Sequence, residues 1–269
     1  MLNLPVSASG LPPREIAFQA ARKAGNILLA RFSYEKKVTY KGRANIVTDV
    51  DLEVEKVVGE FLRQEYPSFG LLAEESPERL GTDQYRWIVD PLDGSRNYAS
   101  GVPHFAIVIA LAMGDDIILG ITYDPTRNEL FWAEKGTGAF LNDKRITVSN
   151  KNSLSHSLLG FDMGYIDEKA HHALELVQSL WPGVQTIRVM GSAALGLAYA
   201  ASGRIDIYFH HNLAPWDLAS GLILVREAGG VFTDKNGLPA TLSSDSAIVT
   251  NDRLLKEFLE TTDGMAWRA

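Results

Sequence analysis

The chemistry open to this chain lies in acidic residues set in four short segments. Asp90 and Asp93 stand three residues apart in Trp87-Ile88-Val89-Asp90-Pro91-Leu92-Asp93-Gly94-Ser95. Glu74 and Glu75 end an apolar run, Asp217 follows Pro215 and Trp216, and Asp51 lies in Thr48-Asp49-Val50-Asp51. Asp90 leaves a run apolar enough to be buried, where an unpaired carboxylate is costly. Two carboxylates this close repel unless a divalent cation lies between them. Pro91 stiffens the chain, Leu92 can offer a cation only its backbone carbonyl, and Gly94 lets the backbone approach a ligand closely. The amides of Ser95-Arg96-Asn97, opening a helical turn, suit a phosphate.

Each segment alone has a plainer reading. Asp-Pro-Leu-Asp-Gly is good turn chemistry anywhere. Glu74 and Glu75 read as surface charges, and Asp217 as a carboxylate complementing a helix dipole. Glu227-Ala228-Gly229-Gly230 reads as a helix ending on a glycine cap.

Taken together and in order, the segments resemble the inositol monophosphatase family. Asp90-Pro91-Leu92-Asp93-Gly94-Ser95 is similar to its Asp-Pro-hydrophobic-Asp-Gly-Thr/Ser signature, and Trp216-Asp217-Leu218-Ala219-Ser220-Gly221 with Glu227-Ala228-Gly229-Gly230 to its second. Ala73-Glu74-Glu75-Ser76 resembles Gly-Glu-Glu-Ser with alanine for glycine, and Thr48 and Asp51 stand where Thr-x-x-Asp does. The match runs from about Arg14 to the C-terminus. The resemblance implies a mixed α+β and α/β chain folded as a layered αβαβα sandwich, shared with archaeal-type fructose-1,6-bisphosphatase relatives. It also implies a homodimer, lithium sensitivity, and two to three Mg2+ ions with direct in-line attack by water. Carried over by position, one ion takes Glu74, Asp90 and the carbonyl of Leu92. A second takes Asp90, Asp93 and Asp217, and a third uses Glu74 through water. Ser95, in place of the usual threonine, and Asp51 would orient and deprotonate the attacking water, giving Asp51, Ser95 and Glu74 as the catalytic set.

The resemblance is less complete on the substrate side. Gly94, Ser95 and Asp217, with Gly191, Ser192 and Ala193, fall at substrate-contacting positions. Inositol-specific members carry a glutamate seven residues before the metal-binding aspartate, and here that residue is His210, followed by His211. A neutral imidazole there would broaden the substrate range, and a protonated one would favour a second phosphate. The pair could instead be zinc ligands or plain strand-end histidines; hard oxygen ligands nearby count against zinc.

These residues need a frame. Apolar spacing predicts helices over Arg14–Phe32 and Asp49–Tyr66, the second capped by Thr48 or Asp49. Between them a basic stretch, Tyr34–Arg43, reads as a solvated loop or as a mobile flap beside an anionic ligand. Strands follow at Phe69–Ala73, Trp87–Val89, Phe105–Met113, Ile117–Tyr123 and Glu129–Glu134, giving a largely antiparallel α+β half over 14–150. Residues 151–269 alternate: strands at Leu158–Phe161, Thr186–Val189, Ile205–Phe209, Val231–Thr233 and Ala247–Thr250, helices at Ala170–Leu180, Ser192–Ala201 and Pro215–Ala228. No linker or repeat separates the halves, so a single domain over 1–269 is expected.

Bulk properties bound the rest. With 46% hydrophobic and 22% charged residues, the chain is ordinarily globular. A net charge of −7 argues against nucleic acid or membrane as partner and leaves a small phosphorylated metabolite, whose charge bound cations would accommodate. The absence of cysteine excludes disulfides, zinc–thiolate sites and thiol nucleophiles. The first thirteen residues lack the basic start and apolar core of a secretory signal, so a cytoplasmic setting is expected. The expected function is magnesium-dependent hydrolysis of a sugar or polyol phosphate, inositol monophosphate-like or fructose 1,6-bisphosphate. Histidinol phosphate and 3'-phosphoadenosine 5'-phosphate are alternative substrates. A regulatory binding protein with the same fold is the alternative of another class.

Overall fold

The computed structural model describes residues 4–269, so the first three residues of the N-terminal stretch read above lie outside it. Helix α1 (Pro13–Arg31) starts on two prolines and buries Ile16, Ala20, Ala24 and Leu28 along one stripe. Helix α2 (Asp49–Glu65) begins at Thr48, whose hydroxyl accepts from the Val50 and Asp51 amides, while the Asp51 carboxylate accepts from the Thr48 amide at 2.9 Å. Asp51 is therefore pinned by the cap that starts its helix.

The two helices pack on one face of a seven-stranded sheet. Its order is β3 (Gly70–Ala73), β4 (Tyr85–Asp93), β5 (Ala106–Met113), β6 (Asp116–Asp124), β7 (Glu129–Glu134), β8 (Gly138–Leu141) and β9 (Lys144–Ile146). All neighbours are antiparallel except β3 and β4. A five-stranded mixed sheet follows, ordered β11 (Thr186–Val189), β10 (Leu158–Phe161), β12 (Ile207–His211), β14 (Ser246–Thr250) and β13 (Val231–Thr233). Helices α5 (Ala193–Ala201) and α6 (Pro215–Glu227) lie between the sheets, and α4 (Asp167–Leu180) and α7 (Asp252–Thr261) cover the far face. The result is five layers, αβαβα.

Helix α6 buries Leu218 to Val225 without interruption, as a helix apolar on every side must. It approaches β6 at Gly120, where a Cβ would lie 2.5 Å from Ile223 Cγ2 and 2.9 Å from Ser220 Cα. That close approach sets how far the start of α6 projects toward the end of β4.

The structure departs from the expected elements in three places. Strand β4 does not stop at Val89 but runs through Asp93, with its pairing to β5 shifted between Asp90 and Asp93. Pro91 sits in that bulge, where a residue without an N–H is tolerated. The basic stretch is not all loop: its Val38–Tyr40 (β1) pairs with Ile46–Thr48 (β2) as a hairpin. The short strands β8 and β9 and helix α7 (Asp252–Thr261) were not read from the sequence, whereas the helical turn expected at Ser95 is the five-residue helix α3 (Ser95–Ala99).

Candidate active site

The ends of β3, β4, β10 and β12 and the starts of α5 and α6 open into one cleft of about 350 Å³. Asp90 and Asp93 reach it from the bulged end of β4. Asp217 comes from the third position of α6, where its carboxylate accepts from the Ala214 amide at 2.7 Å. One carboxylate oxygen from each of the three lies within 4.8 Å of the others. Among the described residues, none of the three is paired with a cationic side chain. Burial, then mutual repulsion with Glu74 and the other two, pushes Asp90 well above the usual carboxylate range. Burial likewise raises Asp217 well above that range and Asp93 to about 7. Two buried and one half-buried hard-oxygen donors, none of them ion-paired, suit a hard divalent cation.

Glu74 lines the same cleft just past β3 but stands apart from that triplet. Lys41, at the tip of the β1–β2 hairpin, reaches Glu74 at 2.9 Å and Glu75 at 2.7 Å. Burial outweighs that pairing and raises both carboxyls, Glu75 to about 7. The Leu92 amide donates to Asp90 at 2.9 Å, and its carbonyl accepts from the Ser95 hydroxyl at 2.8 Å. Ser95 also reaches Asp51 at 2.6 Å, and Thr48 donates to the other oxygen of Asp51. Burial raises Asp51 above its ordinary range despite these bonds. Asp49, two residues away, turns outward to Arg31 at 2.7 Å.

Gly94 and Gly191 close the cleft from two sides. Both have positive φ, and a Cβ on Gly94 would lie 3.1 Å from the Gly191 carbonyl oxygen. The Ser192 hydroxyl and the Ala193 and Ala194 amides, at 3.1 and 3.2 Å, all donate to Asp93. One half of the chain thus orients the carboxylate supplied by the other.

His210 lies at the end of β12, buried, and lines the cleft. It is not a surface residue. Burial, then the adjacent His211, pushes it down to about 3, which favours the neutral imidazole over the protonated form near pH 7. His211 points to the opposite face, as adjacent strand residues do, with its ring 5.8 Å from Trp267. The pair therefore cannot share one ion.

Sequence reasoning missed Lys41 as a partner of Glu74, the side chain of Asn97, and Asp162. Asn97 Nδ2 donates to the His104 carbonyl at 2.8 Å and reaches the Gly191 carbonyl at 3.1 Å. Asp162 follows the apolar run of β10 exactly as Asp90 follows that of β4, and that pattern was the available signal.

A family model described as the inositol monophosphatase family matches residues 12–263. An inositol-1-monophosphatase of Rhizobium meliloti is 40% identical over 250 residues, covering 91% of this chain and 94% of that protein. A protein of Pasteurella multocida named Nus factor SuhB is 38% identical over 254 residues, covering 92% and 94%. The crystal structure of extragenic suppressor protein suhB from Bartonella henselae superposes with a TM-score of 0.90 at 38% identity, covering 93% of this chain and 98% of that one.

Proposed function

The chain belongs to the inositol monophosphatase family, and we propose that it hydrolyses the phosphate monoester of a sugar or polyol at the Asp90–Asp93–Asp217 cluster. The observation that carries this reading is the convergence of three carboxylates, two buried and one half-buried, none of them ion-paired among the described residues. Magnesium would fit that donor set: Asp90, Asp93, Asp217, Glu74 and the Leu92 carbonyl would hold two ions, and Glu74 would serve a third. When bound, the metal offsets phosphate charge and lowers the pKa of water.

The chain's own residues supply the rest. The Ser95 hydroxyl sits between Asp51 and the Leu92 carbonyl, so it accepts a hydrogen bond from a water while donating to Asp51. Burial makes Asp51 a better proton acceptor than a free aspartate, and Thr48 fixes its orientation. The donors from Ser192, Ala193 and Ala194 keep Asp93 in one rotamer. Neutral His210 offers a hydroxyl one donor and one acceptor but gives a second phosphate no charge. That favours a monophosphate such as inositol monophosphate over fructose 1,6-bisphosphate.

A homodimer, lithium inhibition and a cytoplasmic setting belong to the same proposal. The relatives named Nus factor favour a second reading, a regulatory binding protein. The test is phosphate release from a panel containing inositol, glucose, fructose bis-, histidinol and phosphoadenosine phosphates, with magnesium and with chelator. Magnesium-dependent release from a polyol ester supports hydrolysis; release from none, with the protein folded, overturns it in favour of binding.

A further inference from the structure

We infer that Asp162 is a specificity-determining residue of this site, its carboxylate accepting a hydroxyl group from the alcohol half of the substrate; the inference rests on the hydrolytic reading above. Strands β10 and β12 run parallel with Gly160 opposite Tyr208 and Phe161 opposite Phe209. Continuing that register sets Asp162 beside His210 on the same face. Both residues line the cleft although only 6% and 7% exposed. Asp162 Oδ1 accepts from the Met190 amide at 3.1 Å and from the Gly191 amide, and Oδ2 accepts from the Tyr208 hydroxyl at 2.8 Å.

A carboxylate has about four acceptor positions. Three are used here, and the remaining one belongs to Oδ2. Among the described residues no cationic side chain pairs with Asp162, so its buried charge is offset only by neutral donors. Such a group repels a second phosphate and takes a hydroxyl strongly, because an O–H donating to a carboxylate makes a short, charge-assisted bond. His210 adds a buried Nδ1 with no partner in the protein. Two neighbouring groups with spare polar capacity thus line the cleft, and vicinal hydroxyls match them. Gly196 keeps the arrangement in place: a Cβ there would lie 2.3 Å from the Tyr208 ring and push its hydroxyl off Asp162.

The test is Asp162→Asn, which keeps the shape and an oxygen for the loop amides while removing the charge. Catalytic efficiency is compared on inositol monophosphate and on para-nitrophenyl phosphate, which has no alcohol hydroxyls to lose. We expect the inositol-to-aryl ratio to fall about 10- to 100-fold, the range of a hydrogen bond to a charged group. Equal losses on both esters would mean that Asp162 only holds the Met190–Gly191 loop, and no loss on either would mean that it is idle; both overturn the inference. Should the asparagine variant fail to fold, Asp162→Ser, with a short oxygen for the same amides, is read the same way. Calorimetric titration with free myo-inositol needs no turnover and keeps the two readings separable. A parent that cleaves neither ester removes the hydrolytic reading, while weaker polyol binding by the variant still supports Asp162 and equal binding overturns it.

Discussion

Replacing Asp93 by asparagine separates the charge a cation needs from the shape the fold needs. The side chain is held by the Ser192 hydroxyl and the Ala193 and Ala194 amides. Asparagine can keep its oxygen toward the Ala193 amide and turn its own N–H toward Ser192, which leaves the Ala194 amide without its acceptor. Burial lifts Asp93 to about 7, so without metal the folded chain retains a proton that the unfolded chain releases near pH 4. Its contribution to stability is therefore fully present below about pH 4 and is lost as pH rises through 7. The displacement corresponds to a penalty of about 4 kcal/mol at 1.36 kcal/mol per pH unit. Less favourable hydrogen bonding by the amide offsets part of the relief. In chelator at pH 7.5 the variant should be more stable by about 1–3 kcal/mol, or roughly 2–4 °C in Tm per kcal/mol for a chain of this size. At pH 5 the gap should largely close. Magnesium should reverse the order, because the parent gains ligand-linked stability and the variant loses most of it. Thermal melts at both pH values, with chelator and with magnesium, decide it. A variant that melts below the parent at pH 7.5 in chelator, or that gains as much from magnesium, refutes the charge argument.

Ser95→Ala and Asp51→Asn should each lower turnover while sparing magnesium-dependent stabilisation, and the double variant should be little worse than either, since they act as one unit; fully additive losses would separate them. His210→Glu should raise the catalytic-efficiency ratio of inositol monophosphate over glucose phosphate by about tenfold, because a carboxylate accepts from two hydroxyls where imidazole accepts from one. An unchanged ratio would take His210 out of the specificity argument. Gly120→Ala should cost about 1–3 kcal/mol by urea unfolding, because the new methyl meets Ser220 and Ile223 of α6. Undiminished stability would contradict the close approach of α6 to β6.

Much of this was legible because the strongest signals are local. The periodicity of α1, the cap of α2 at Thr48 and the apolar runs of β5 and β6 each follow from a few consecutive residues, and so do those elements. What was missed depends on partners far along the chain. Strand β4 runs past Pro91 because β5 still pairs with it beyond the bulge at Asp93, which propensity at Pro91-Leu92 does not show. The hairpin of β1 and β2 is short and mostly exposed, so it has no apolar face to announce it. Helix α7 has only Leu254 and Phe258 buried, a short apolar stripe that gives a weak signal. In the site, Asp90, Asp93 and Asp217 stood out by motif, and the structure brings them within one cluster. Asp162 belongs to no motif; its meaning appears only when β10 lies beside β12 and the Met190–Gly191 loop folds over it.

The central claim, that the acidic triplet is a metal-dependent phosphoesterase centre, is tested most directly by one measurement. Inorganic phosphate release from inositol monophosphate is followed for the parent and for Asp217→Asn, across a magnesium titration begun from chelated protein. The account predicts no release in chelator, saturable release by the parent as magnesium is added, and turnover lower by orders of magnitude for Asp217→Asn at every concentration. Release that persists in chelator, or an Asp217→Asn variant that matches the parent at saturating magnesium, would contradict it.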